Sequence, residues 1–238
     1  NGLRVIVHED RRLPMVAVNI WYHVGSKDEH PGRTGFAHLF EHLMFEGSQH
    51  YDKGYFHPLQ EAGAALNGST NPDRTNYWEV VPTNALDLAL WMESDRMGYL
   101  LPALTVQKFE TQREVVLNER RQNYENRPYG LATMAIVAAM FPSNHPYHWM
   151  TIGETADLKA AEFEDVRDFF RTYYHPTNAS LVIAGDIDAA DALDRVRAHF
   201  DEIPPGPRPA RLQTSAELTE ERRLLLEDRI ELPRLYLT

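Results

Sequence analysis

The stretch "GFAHLFEHLMFEGS", residues 35 to 48, sets two histidines and a glutamate within five positions of an otherwise apolar run. Imidazoles four residues apart stand on adjacent turns of one helical face, so His38 and His42 could close on a single ion. At about 100° per residue His38, Glu41 and His42 share an arc of about 100°, and Phe36, Leu39, Phe40 and Leu43 fall on the opposite side. Four large side chains would fix such a helix to a core. A merely solvated His–Glu–His face has the same pattern, and these five positions alone leave both readings open.

The chain has no cysteine, so disulfides and thiolate sites are excluded and any metal must be held by imidazole and carboxylate. That donor set suits zinc. Glu41 projects toward the open side of its short helix, where it could take a proton from metal-activated water rather than bind the ion. A third ligand must then come from elsewhere. The acid-rich segment "VQKFETQREVVLNERRQNYEN" carries an apolar helical stripe of Val106, Phe109, Val116 and Leu117. Glu119 sits at one edge of that stripe, about 60° from Val116, with Glu110 and Glu114 on its other side. Glu119 reads as the acid that is half-buried.

The elements that must carry these residues follow from local patterning. "LRVIVHE" and "MVAVNIWYHVG" read as strands forming an antiparallel pair about the turn-like "DRRLP". A helix over about 34–46 comes next, closed by Gly47, then a short helix near 55–62 and two strands, "AALNGST" and "RTNYWEVVP". Helices over 84–100 and 105–126 are separated at Pro102, and "LATMAIVAAMF" reads as a buried helix. A helix over 161–173, the apolar strand "ASLVIAGD" and a helix over 189–200 complete an α+β order. The proline-rich "IPPGPRPA" opens a linker over 203–220, and the strand-like residues 221–238 read as the start of a second domain after a first one spanning 1–202.

At 238 residues and 43% hydrophobic the chain can bury a sizeable core, and no apolar run approaches the roughly 20 residues that span a bilayer. A net charge of −11 with scattered basic residues argues against a nucleic-acid partner. The chain opens on Asn1 and reads as strand almost at once, as expected downstream of a removed leader. Among the other histidines, His23 reads as packed in an apolar strand, and His8, His30, His50, His57 and His199 as solvated. His145 and His148 read as loop residues without a metal role.

The segments "NGLRVIVHED", "VGSKDE", "GFAHLFEHLMFEGS", "LNGSTNPDRTNYWEVVP", "ESDRM", "REVVLNER" and "YYHPTNASLVIAGD" together resemble the N-terminal part of the pitrilysin/insulinase-type zinc peptidases, which include the mitochondrial processing peptidases. The resemblance implies a mixed, mainly antiparallel sheet packed against several helices. It implies that His38 and His42 bind Zn2+, that Glu41 is the general base, and that a glutamate about 76 or 77 residues on is the third ligand. Glu119 lies 77 residues after His42. It further implies that "AALNGST" is a cleft-edge strand that pairs with extended peptide, making Asn67, Gly68 and Ser69 substrate-binding candidates; a turn role for Asn67 is the alternative. Where relatives commonly have a glutamate seven residues before the distal ligand, this sequence has Gln112, which can accept a hydrogen bond to a ligand but carries no charge.

The expected activity is hydrolysis of peptides or unfolded segments by a zinc endopeptidase, completed by a second homologous half on the same chain or a partner. The resemblance favours the bacterial periplasm. The alternative is a non-catalytic peptide-binding or scaffold subunit of a two-part assembly, a role in which the zinc motif is commonly eroded; here His38, Glu41, His42 and Glu119 are all present.

Overall fold

The computed structural model describes residues 1–210 and 212–238. Five strands, β1 (Arg4–Glu9), β2 (Met15–Tyr22), β3 (Ala65–Thr70), β4 (Thr75–Pro82) and β5 (Ala179–Gly185), form one mixed sheet in the order β1-β5-β2-β4-β3. Along β2 the even positions Val16, Val18, Ile20 and Tyr22 are buried and the odd ones are not, the alternation that a sheet with one covered face requires. Leu181 and Ile183 of β5 and Tyr77, Glu79 and Val81 of β4 share the covered face. The opposite face leaves Ile6 and Trp21 exposed.

The helices are α1 (Phe36–Leu43), α2 (Phe56–Glu61), α3 (Leu86–Ala103), α4 (Val106–Arg120), α5 (Gly130–Met140), α6 (Thr155–Ala160), α7 (Phe163–Tyr173) and α8 (Ala189–Phe200). Helix α1 packs on β3, β4 and α4, α3 on β2 and β4, and α8 on β1. Phe40 of α1 stacks on Phe169 and meets Phe170 and Tyr174, so the apolar side of the His-bearing helix is clamped by aromatic rings of and just beyond α7. This is an α+β fold, as the order of elements predicts. No helix among the described residues is long and apolar enough to cross a membrane.

Several local expectations are corrected. Strands β1 and β2 are not paired with each other, because β5 lies between them, parallel to β1 and antiparallel to β2. The near-continuous apolar run of β5 needs neighbours on both sides, whereas β1, with its exposed Arg4, Ile6 and His8, suits an edge. Helix α5 forms, but none of its residues is buried: apolarity measures a tendency to leave water and does not supply a partner surface. The break expected at Pro102 is present and falls just before it: α3 kinks at Tyr99, whose φ is −134°, a short last turn carries Pro102, and α4 begins at Val106. His23 lies past the end of β2 on the open face and is exposed, with Nε2 3.0 Å from the Ser180 hydroxyl. Residues 221–238 form no strand.

Candidate metal centre

Helix α1 begins under unusual restraint. Gly35 precedes it at φ +92° and has no side chain to cap the first turn. The buried carboxyl of Glu29 does so instead, accepting from Gly35 N at 2.9 Å and Ala37 N at 2.8 Å. Thr34 donates from its backbone N and its hydroxyl to Asp157 of α6, and its hydroxyl accepts from Glu154 N. Gly153, at φ +76°, lies so close that a Cβ on it would stand 2.4 Å from the Gly35 Cα. Arg120, next to Glu119 at the end of α4, donates to the Gly153 carbonyl at 2.6 Å and to Glu154 at 2.9 Å. The helix bearing the histidines and the helix bearing the distal glutamate are therefore fastened to one loop.

His38 Nε2 and His42 Nε2 each lie 3.6 Å from Glu119 Oε2, and one ligand atom from each of the three residues lies within 4.8 Å of the others. A separation of 3.6 Å is too long for a hydrogen bond, but it approaches the edge of roughly 3.3 Å expected between donors about 2 Å from one tetrahedral ion. Burial, aided by the neighbouring His42, pushes the His38 ring down to about 4, so it is the neutral imidazole a metal requires. The donor set fits zinc. Among the described residues no other three His, Asp or Glu side chains converge in this way. His145 stacks on Phe141 and His148 Nδ1 lies 2.7 Å from the Phe141 carbonyl, so both stay in their own loop.

The side chains around the trio settle which nitrogen of His42 is free. Gln112 Oε1 lies 3.2 Å from His42 Nδ1, and Gln112 Nε2 donates to Glu46 Oε1 at 2.6 Å. A carboxylate only accepts, so the amide turns its NH2 toward Glu46 and its oxygen toward His42, whose Nδ1 then carries the proton. Nε2 is left bare, facing Glu119. Glu41 is half-buried on the same helix, and burial pushes its carboxyl up, with Glu119 adding to the effect and the Thr70 hydroxyl, His42 and Arg74 opposing it.

Strand β3 is the edge of the sheet beside α1. Asn67 lies within it, paired with Trp78 and exposed, rather than in a turn; its Oδ1 accepts from Gly68 N at 2.8 Å. Gly68 lets the strand approach Phe45 and Tyr77, since a Cβ there would stand 3.1 Å from the Tyr77 ring. Ser69 is tied down by Arg74, which donates to its carbonyl at 2.7 Å, and its hydroxyl donates to Asn76. Glu29, Glu46 and Arg120 escape sequence reasoning. The only signal for Glu46 is its helical spacing of four from His42.

Glu29 makes a pH-dependent contribution. Burial pushes its carboxyl up to about 8 from an ordinary 4.5, against the pull of the two backbone N–H groups. The folded state thus binds this proton more tightly than the unfolded chain. The resulting stability is complete below the unfolded value and is lost as pH rises through about 8. Chemical denaturation at pH 5 and pH 8.5 should show a fall of the order of a few kcal/mol, part of which disappears in Glu29→Gln. An unaltered pH slope in that variant would remove Glu29 as its source.

Residues 4–149 match the family Insulinase (Peptidase family M16), and residues 160–238 match the Peptidase M16 inactive domain. The chain is 31% identical over 205 residues to the zinc protease PqqE of Helicobacter pylori, covering 85% of this chain and 46% of that protein. It is 26% identical over 205 residues to the mitochondrial-processing peptidase subunit beta of Bos taurus, covering 85% of this chain and 40% of the relative. A crystal structure of a protease from Helicobacter pylori superposes with a TM-score of 0.83 at 29% identity, over 88% of this chain and 50% of the other. Pitrilysin shares the fold, with a TM-score of 0.77 at 22% identity over 89% of this chain and 23% of its own. The chain spans about half the length, or less, of the curated relatives it matches, and by the match over residues 4–149 it belongs to the insulinase family of peptidases, peptidase family M16.

Proposed function

We propose that this chain is the metal-binding part of a zinc-dependent endopeptidase acting on peptides or unfolded segments. His38, His42 and Glu119 would hold the ion and Glu41 would act as general base. The observation that supports this reading best is the meeting of three ligand atoms within 4.8 Å beside a half-buried carboxylate on the same helix. Zinc bound there would acidify water and polarise a substrate carbonyl. Glu41, its carboxyl raised by burial, would take the proton of the attacking water and return it to the leaving amine. The free edge of β3, at Asn67, Gly68 and Ser69, receives an extended peptide as an added strand.

Residues 203–220 as linker, 221–238 as the opening of a second related domain, and a homologous half that completes a chamber belong to the same proposal. The test uses the intact protein. One zinc per chain and hydrolysis of an unstructured peptide, stopped by a chelator and restored by zinc, are expected. Stoichiometric zinc with peptide binding but no cleavage would favour the non-catalytic subunit instead.

A further inference from the structure

We propose that Glu46 is a positioning residue for the metal centre, acting on His42 through the side-chain amide of Gln112. The inference rests on the zinc reading above and concerns the role the sequence leaves without a charge. An amide at position 112 cannot give His42 the carboxylate partner that ligand histidines commonly have. The carboxylate is nevertheless present one group further away, with Gln112 Nε2 donating to Glu46 Oε1 at 2.6 Å and Gln112 Oε1 standing 3.2 Å from His42 Nδ1.

What Glu46 adds is direction. A lone amide can turn over, and the reversed form would present its NH2 to His42 Nδ1. That nitrogen would then have to be the acceptor, which moves the proton to Nε2, the atom that must be bare to bind an ion. Glu46 closes off this alternative, because a reversed amide would set oxygen against a carboxylate. An amide N–H donating to a carboxylate makes a charge-assisted bond, which polarises the amide and strengthens its acceptance from His42. Glu46 follows α1 directly and Gln112 lies seven residues before Glu119 on α4, so the relay also joins the two helices that supply the ligands.

Glu46→Gln keeps the shape and removes the direction. In the intact protein its zinc dissociation constant, measured against a chromophoric chelator, should rise about tenfold. Long-range proton–nitrogen NMR of the metal-free protein should show His42 protonated at Nδ1 in the wild type and as a mixture of tautomers in Glu46→Gln. Combining Glu46→Gln with Gln112→Glu puts a carboxylate directly on His42 and should restore both readouts. Zinc affinity and tautomer unchanged in Glu46→Gln would overturn the relay. So would a loss of affinity that follows a lowered melting temperature of the metal-free protein and is not rescued by Gln112→Glu. A wild-type protein that binds no zinc at all would instead overturn the metal reading, and the tautomer measurement would still judge the relay.

Discussion

Replacing Glu41 with Gln should leave zinc content at the wild-type level and lower kcat/KM for an unstructured peptide by at least about 100-fold. The amide is nearly isosteric, so α1, with five of its eight residues buried, keeps its packing. Glu41 is not among the three side chains whose ligand atoms converge, and its removal should not open the metal site. What the substitution takes away is a proton acceptor, and it does so where burial has made the carboxyl a better base than an exposed one. Zinc content and hydrolysis rate are measured on the same preparation. Loss of zinc together with activity would make Glu41 a ligand, and retention of activity would require another base.

The parts of this site that were legible in the sequence are those set by short-range periodicity. The His38 and His42 pair follows from helical spacing, and Phe109, Val116 and Leu117 of the stripe beside Glu119 are buried as expected, although Val106 is exposed; the angle alone does not separate Glu119 from Glu110, which lies about 20° from Leu117 and is exposed. The supporting groups obey no such period. Glu29 reaches the start of α1 across a turn, Arg120 reaches Gly153 from 33 residues away, and Glu46 meets Gln112 from a different element. Strand pairing fails for the same reason: β5 enters between β1 and β2 from far along the chain, and nothing local to residues 1–22 reports it. Helix α5 is the converse case, a strongly apolar segment none of whose residues is buried.

Arg96→Met should cost about 3–5 kcal/mol of stability, a large share of what a domain of this size has. Arg96 is 1% exposed, lies over the rings of Tyr55 at 3.9 Å and Tyr77 at 4.2 Å, and donates from Nε to Glu93 at 2.9 Å while its Nη2 bonds the other carboxylate oxygen. Glu79 is buried in the same cluster, and burial, followed by the charge of Glu93, pushes its carboxyl well above the usual range, so it is neutral. The guanidinium therefore balances a single charge, that of Glu93, and methionine would strand it. Arg96→Met combined with Glu93→Gln should recover much of the loss, which separates the stranded charge from lost packing. Urea midpoints of the three proteins decide this, and an unchanged midpoint in Arg96→Met would refute it. The effect should also reach the metal centre. Tyr77, braced by Arg96, donates to the Phe40 carbonyl of α1 at 3.2 Å and packs against Gly68 of β3. One ring thus sets the separation between the helix that bears His38 and His42 and the strand edge proposed to hold the peptide, so loosening it should raise KM even where the variant remains folded.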